Sequence, residues 1–215
     1  MEYQSQIGQD KYIIEHIFNY KKNGYFIELG AADGKNLSNT YCLEKNFNWS
    51  GLCIEPNPLF HEKLKENRNC ELDFTPVFST SGKKVNFTVA EEFSGISDYI
   101  LKQCKVYEGK GEIELETKTL TEILDEHNAP PYIDYMSLDT EGTELEILKG
   151  LDFNKYKIGY ISVEHNHQNQ RYQIMDYLLR RGYKFSRWNR FDDEYMNHEF
   201  SLKFGWSEYI KYNNN

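Results

Sequence analysis

The sequence predicts an α/β fold in which a mostly parallel sheet carries helices on both faces and an antiparallel pair closes one edge. Three observations predict it. Short continuous apolar runs recur at Tyr25–Leu29, Trp49–Glu55, Tyr132–Asp139 and Lys157–Val163, as strands do when both faces of a sheet are covered. Segments with helical spacing lie between them, the alternation expected of a parallel sheet. Several of the runs end in an acid followed by a turn, at Glu28, Glu55, Asp139 and Glu164. In an open α/β sheet ligands bind outside the carboxyl ends of the strands, so these acids mark where a site should lie.

In chain order, residues 1–22 predict a short arm and an amphipathic helix, with Ile13, Ile14, Ile17 and Phe18 at helical spacing and Asp10 as its cap. Tyr25–Leu29 is the expected central strand, and Gly30 and Gly34 let the chain turn tightly after it. Ser38-Asn39-Thr40 then opens a helix through Tyr41, Leu43 and Glu44. After the second strand, Pro56-Asn57-Pro58 forces the chain out of the sheet before a helix over Leu59–Asn67. Phe74–Ser79 predicts a third strand, and Lys84–Ala90 and Gly111–Leu120 two more. Between those two, Glu91–Lys110 reads either as a mobile cover over the site or as a solvent-exposed excursion. Thr121–Asn128, Glu144–Lys149 and Arg171–Arg181 predict helices, the last stopped by Gly182. Tyr183–Trp188 and Glu199–Phe204 predict the closing antiparallel pair.

The 215 residues suit a single domain, 1–215, with a substantial core. A net charge of −9 argues against a nucleic-acid backbone as partner. No apolar run approaches a membrane span, and MEYQSQIGQDKY lacks the apolar core of a signal peptide, so a cytoplasmic location is expected. Cys42, Cys53, Cys70 and Cys104 show neither C-x-x-C spacing nor the density of a disulfide scaffold and are expected as reduced thiols.

The loop after the central strand reads Glu28-x-Gly30-x-x-x-Gly34 with Asp33 inside it, not the G-x-G-x-x-G of a dinucleotide site. Two carboxylates repel a pyrophosphate and suit a cation. S-adenosylmethionine has a sulfonium and an ammonium and no phosphate; a purely structural tight turn is the alternative. Glu55 stands somewhat beyond the roughly twenty residues after the loop at which a ribose-binding acid is expected. The turn at Ser38-Asn39 favours the carboxylate of a methionine moiety, and Ser79 would end the third strand near the adenine. The expected cofactor contacts are Glu28, Gly30, Ala31, Asp33, Ser38, Asn39, Glu55, Pro56, Ser79 and Asp139.

Four segments in this order resemble the FkbM-type S-adenosylmethionine-dependent methyltransferases. They are Ser5-Gln6-x-Gly8-Gln9-Asp10; Phe26 to Gly34 with Ser38-Asn39-Thr40; Trp49-x-Gly51 to Pro58; and Leu138 to Gly150. The chain departs at Ser137-Leu138, where the family often has Lys-Ile, which leaves no lysine to act there. The resemblance implies a seven-stranded class I (Rossmann-like) methyltransferase fold. It also implies methylation of a hydroxyl oxygen, often on a sugar of a glycan or on a secondary metabolite. The expected function is O-methylation of a saccharide, as a nucleotide-sugar or in a glycan. A non-sugar acceptor and a non-catalytic nucleoside-binding module are the alternatives.

A sugar hydroxyl is a poor nucleophile while protonated, so a general base or a metal should assist. Asp139, Glu164 and His165 are the candidate catalytic residues. Two mechanisms stay open. Either His165 or Asp139 takes the proton directly, or Asp139 and Glu164 hold Mg²⁺ or Mn²⁺ through hard oxygen ligands, with or without His165 as a further ligand. Capping of the next helix by His165 and His167 is the third reading. Arg187, Arg190 and His198 are candidates for contact with an acceptor phosphate.

Overall fold

The apolar runs become the strands of one sheet because each needs cover on both faces. The computed structural model of the chain describes residues 1–103 and 111–203. Helix α1 (Gln9–Tyr12) continues as a wider turn of π geometry over Ile13–Ile17. There follow β1 (Tyr25–Leu29), α2 (Tyr41–Phe47), β2 (Ser50–Ile54), α3 (His61–Asn67) and β3 (Glu71–Asp73). An inserted group comprises β4 (Lys84–Val89), β5 (Gly95–Ile96), α4 (Ser97–Gln103) and β6 (Gly111–Glu116). The chain then returns to the main layers with α5 (Leu120–Glu126), β7 (Tyr132–Leu138), α6 (Glu144–Lys149), β8 (Lys157–Glu164) and α7 (Gln170–Leu179). It closes with β9 (Tyr183–Asn189), β10 (Asp192–Asn197) and α8 (His198–Lys203).

The main sheet has seven strands in the order β3-β2-β1-β7-β8-β10-β9, and the insertion forms a separate three-stranded sheet, β5-β4-β6. All neighbours in the main sheet are parallel except β10, which runs antiparallel to both β8 and β9. This is the class I methyltransferase architecture expected from the sequence. From β1 the chain moves outward to β2 and β3, then returns to place β7 on the other side of β1. The strand order therefore reverses between β1 and β7, where a crevice opens at the carboxyl ends.

Alternation along β1 divides its side chains between two cores. Ile27 and Leu29 pack with Leu52, Ile54 and the inner faces of α5, α6 and α7. Phe26 faces the other way, toward Ile13, Ile14, Ile17 and Phe18 of the N-terminal helix and toward Leu43 and Leu64 of α2 and α3. Period-2 alternation puts Glu28 on the same side as Phe26, the side of α2 and α3, which decides what its carboxylate meets.

Two expected elements lie elsewhere. The third strand is Glu71–Asp73, not Phe74–Ser79: Pro76 and Val77 instead form a loop, with Val77 making an isolated bridge to Lys118. Proline has no N–H to give a ladder, which disfavours strand there. The closing strand is Asp192–Asn197, and His198–Lys203 is helical. Its acids disguised the strand: Asp192, Asp193 and Glu194 are all buried, each paired. Gln9 donates to Asp192 at 2.8 Å, Arg171 grips Asp193 with two bonds of 2.7 Å, and Tyr160 and Arg187 donate to Glu194. Residues 104–110 of the expected cover, and Cys104, fall outside the described residues.

Candidate active site

At the end of β1 the chain must leave the sheet while passing within touching distance of β7. Gly30 adopts φ +77°, and a Cβ there would lie 1.8 Å from the Asp139 carbonyl oxygen. Only glycine fits, both for its φ and for its lack of a side chain. The Gly30 N–H donates to Ile54 and the Asp139 N–H to Leu29, at 3.0 and 3.2 Å, so the three strands stay knit up to the point where the crevice begins. Beyond it the Asp33 carboxylate accepts the N–H groups of Lys35 and Asn36 at 2.9 and 2.8 Å and folds the loop upon itself.

Glu28 is the most fully satisfied acid in the site. Its carboxylate accepts from the Ser38 hydroxyl (3.0 and 2.8 Å), the Asn39 N–H (2.7 Å), the Thr40 hydroxyl (2.6 Å) and Arg68 Nη1 (2.9 Å). Arg68 is wholly buried and also reaches Glu44 at 2.6 Å and the Thr40 hydroxyl at 2.8 Å. The N–H groups of Thr40 and Tyr41 are accepted by the Ser38 hydroxyl. In the turn that opens α2 the N–H groups of Asn39, Thr40 and Tyr41 are therefore already accepted, the first of them by the Glu28 carboxylate. What the turn does offer is an acceptor. Asn39 donates through Nδ2 to the Ser137 hydroxyl at 2.8 Å, and its Oδ1 is buried beside the cleft without a partner.

Glu55, at the end of β2, accepts the Ala32 N–H through one oxygen and the Asn57 N–H through the other, both at 2.8 Å. It thereby ties the glycine loop to the next strand end. Burial pushes its carboxyl up to about 7 against these two bonds. Asn57 in turn donates to the Glu91 carbonyl and the Ser94 hydroxyl, so the first part of the insertion is anchored over the cleft. Glu91, Phe93, Ser94, Gly95 and Ile96 line it from that side, while Gly30, Ala31, Asp33, Ser38, Pro56 and Gln6 of the N-terminal arm line it from the other. Ser79 does not reach it: its hydroxyl donates to Glu146 at 2.7 Å, because the loop after β3 turns Pro76 and Val77 to the cleft instead.

Across the crevice the acids are crowded. Carboxylate oxygens of Asp139, Glu141 and Glu164 all lie within 4.8 Å of one another. The Asp139 side chain is exposed to the cleft, with the β7 and β8 strand ends packed behind it. Burial and the charges of Asp192, Glu144 and Glu28 push it up to about 7, opposed by a hydrogen bond with Glu164. Burial and Asp139 together push Glu141 up to about 8 and hold Glu164 far above the carboxylate range. Like charges at this spacing cannot all ionise, so the Asp139–Glu164 pair shares a proton. Glu144 shapes the loop beneath them, accepting the N–H groups of Thr140 and Gly142 at 3.0 and 2.9 Å.

His165 is turned away from this cluster. Its Nδ1 accepts the His167 N–H at 3.0 Å, which puts the ring proton on Nε2, 3.6 Å from Asp193. Burial lowers its pKa, so the ring is neutral. Of the expected phosphate contacts, Arg187 is engaged with Glu194 and lies over the Tyr12 ring at 3.5 Å. Sequence reading missed Arg68, Asn57 and the place of Glu141 in the acid cluster. Arg68 had one signal, the need of an acid inside a buried strand for a counter-charge.

No curated protein matches the chain. Solved structures resembling it include precorrin-6y C5,15-methyltransferase from Geobacter metallireducens GS-15, at 14% identity and a TM-score of 0.44 with 82% of each chain covered. Ribosomal protein L11 methylase from Lactobacillus delbrueckii subsp. bulgaricus matches at 12% identity and a TM-score of 0.44, over 88% of this chain and 76% of that one. A methyltransferase from Pyrococcus furiosus matches at 14% and 0.43, over 91% and 86%. Likenesses this distant say nothing of substrate. The family profile described as Methyltransferase FkbM domain matches residues 28–185, most of the chain, from the acid of β1 through the acid cluster to β9. By that match the chain belongs to the FkbM methyltransferase domain family, as an S-adenosylmethionine-dependent methyltransferase.

Proposed function

We propose that the protein transfers a methyl group to a hydroxyl oxygen of a saccharide, with the Asp139–Glu164 pair receiving the hydroxyl proton. The observation that carries the reading is the pairing of a buried, partnerless acceptor on one side of the crevice with a proton-sharing carboxyl pair on the other. Bound S-adenosylmethionine supplies an electrophilic methyl group on a sulfonium. The cleft suits it. Asn39 Oδ1 lacks a donor, which an ammonium provides, and Glu55 has lone pairs left for ribose hydroxyls after its two backbone bonds. The surrounding acids favour a positive charge and disfavour a dinucleotide.

The residues of the chain then orient and deprotonate. The walls from the glycine loop and from Glu91–Ile96 hold the reacting groups together and exclude water, and positioning of this kind accounts for much of the acceleration in a displacement. Asp139, with its carboxyl near 7, is a stronger base than an ordinary carboxylate and is matched to neutral pH. Glu164 keeps the shared proton and hydrogen-bonds to it. His165 holds the turn between β8 and α7 through its bond from His167, a positioning role.

A second reading rests on the clustering of Asp139, Glu141 and Glu164: three carboxylates are the hard ligands Mg²⁺ or Mn²⁺ would take. The test of the main reading has two parts. Calorimetry should show binding of S-adenosylhomocysteine and none of NAD. Labelled S-adenosylmethionine incubated with neutral sugars, nucleotide-sugars and glycans should place a methyl group on a sugar oxygen by mass spectrometry. Binding of NAD in place of S-adenosylhomocysteine would overturn the cofactor assignment, and methylation only of non-sugar acceptors would overturn the substrate class.

A further inference from the structure

Glu164 belongs to the wall of two cavities. One is the cleft described above; the other, of about 180 Å³, is bounded by α4, by the loop before α6 and by the turn that links β8 to α7. The second cavity has a distinct chemistry. Asn166, Gln168, Asn169 and Gln170 contribute amides and Tyr99 a phenol. Gln168 and Asn169 are exposed, and Gln170 is steadied by its bond to Glu144 at 3.2 Å.

A hydroxyl group both donates and accepts, and a side-chain amide offers both functions a few ångströms apart. Among the described residues that line the cavity none is a lysine or arginine, and Glu144 and Glu164 are acids. The nearest guanidinium on α7, that of Arg171, is held by Asp193 through two bonds of 2.7 Å. A phosphate placed here would meet carboxylates and, among the described residues, no cation.

We propose that this cavity is the acceptor site, that it takes a neutral, unphosphorylated polyol ring, and that Gln168, Asn169 and Gln170 are the residues that select it. The ring enters from the α7 side and presents one hydroxyl past Glu164 to Asp139, while the methyl donor occupies the cleft. The proposal rests on the methyltransferase reading of that cleft. It goes further in excluding a nucleotide-sugar and in assigning acceptor recognition to the β8–α7 turn rather than to the arginines of the closing hairpin.

The test uses the full chain saturated with S-adenosylhomocysteine. The probes are the methyl α-glycosides of glucose, galactose, mannose, rhamnose and fucose, observed by saturation-transfer NMR, with UDP-glucose as the charged comparison. At least one glycoside should bind and UDP-glucose should not compete with it. In Gln168→Ala/Asn169→Ala, whose side chains are exposed, glycoside affinity should fall at least about tenfold, a loss near 1.4 kcal/mol. Calorimetric affinity for S-adenosylhomocysteine should stay the same. Gln168→Trp, which fills the mouth, should abolish glycoside binding. If S-adenosylhomocysteine binds and no glycoside does, or if the variants bind glycosides as the wild type does, the acceptor proposal is wrong and the reading of the cleft stands. If UDP-glucose alone binds, the exclusion of phosphate is wrong. If S-adenosylhomocysteine fails to bind, both readings fall.

Discussion

Glu28 and Asp139 stand at the carboxyl ends of neighbouring parallel strands on either side of the switch point, Glu28 paired with Ser137 and Asp139 following the Leu29–Leu138 pair. They are chemically similar residues in similar places, and the fold treats them in opposite ways. Glu28 is covered by two hydroxyls, a backbone N–H and the Arg68 guanidinium. Asp139 faces Glu141 and Glu164 with no cation among the described residues of the cluster. A carboxylate with every lone pair answered by a donor is a brace. A carboxyl group raised by burial and like charge is reactive toward protons, and a concentration of such groups is what a catalytic site looks like. The lesson is that an acid at a strand end marks the neighbourhood of a site, while its partners decide its task.

The comparison breaks or holds on paired substitutions. Asp139→Asn should lower turnover by about 10²–10⁴-fold, the usual worth of a positioned base. The same change should leave urea stability unchanged or slightly higher, since it removes repulsion from a crowded cluster. Arg68→Ala should do the reverse. It leaves Glu28 as a buried charge without its counter-ion, while Glu44 keeps Lys45, and breaking a buried pair by removing one partner costs about 3–5 kcal/mol. A milder loss is expected in Arg68→Met/Glu28→Gln, where no charge is left alone. Should Asp139→Asn unfold at the same urea concentration as Arg68→Ala, the distinction between brace and reactive pair would be lost.

What could be read from the sequence follows from the range of the signals involved. The central strands, the glycine turn and the helices on both faces are written in local apolar patterns, so Tyr25–Leu29 and Tyr132–Leu138 were legible. Strand β10 was not, because Asp192, Asp193 and Glu194 read as surface until Gln9, Arg171, Tyr160 and Arg187 are brought to them from distant parts of the chain. The candidate site divides in the same way. Gly30, Asp33, Glu55 and Asp139 could be placed by position after a strand. The donor set of Glu28 could not, since Arg68 lies 40 residues away, nor could the orientation of His165, which depends on the His167 N–H and on Asp193.

A smaller effect concerns pH. Asp139, Glu55 and Glu141 have folded values of about 7, 7 and 8 against 3.8, 4.5 and 4.5 for the free groups. The folded state therefore binds protons more tightly than the unfolded chain, and stability is lost as pH rises between those limits. Melting temperature without ligand should be higher near pH 6 than near pH 8.5. Asp139→Asn/Glu141→Gln should flatten that slope. Ionised acids also attract a sulfonium, so affinity for S-adenosylmethionine relative to S-adenosylhomocysteine should increase over the same interval. A ratio independent of pH would mean that the acid cluster does not face the methyl donor.

The smallest expected effect separates proton transfer from metal assistance. A divalent cation at Asp139, Glu141 and Glu164 must displace the proton that Asp139 and Glu164 share, and the hydrogen bond between them holds that proton in place. Chelator treatment should accordingly leave turnover on a responsive glycoside within about twofold, the barrier being set by proton transfer to a carboxyl pair. Added Mn²⁺ should give no saturable signal by electron paramagnetic resonance that Asp139→Asn removes. If chelation abolishes turnover and Mg²⁺ restores it, the pair is a metal ligand set, the proton leaves by another route, and Glu141 takes its place as the third ligand rather than as a bystander charge.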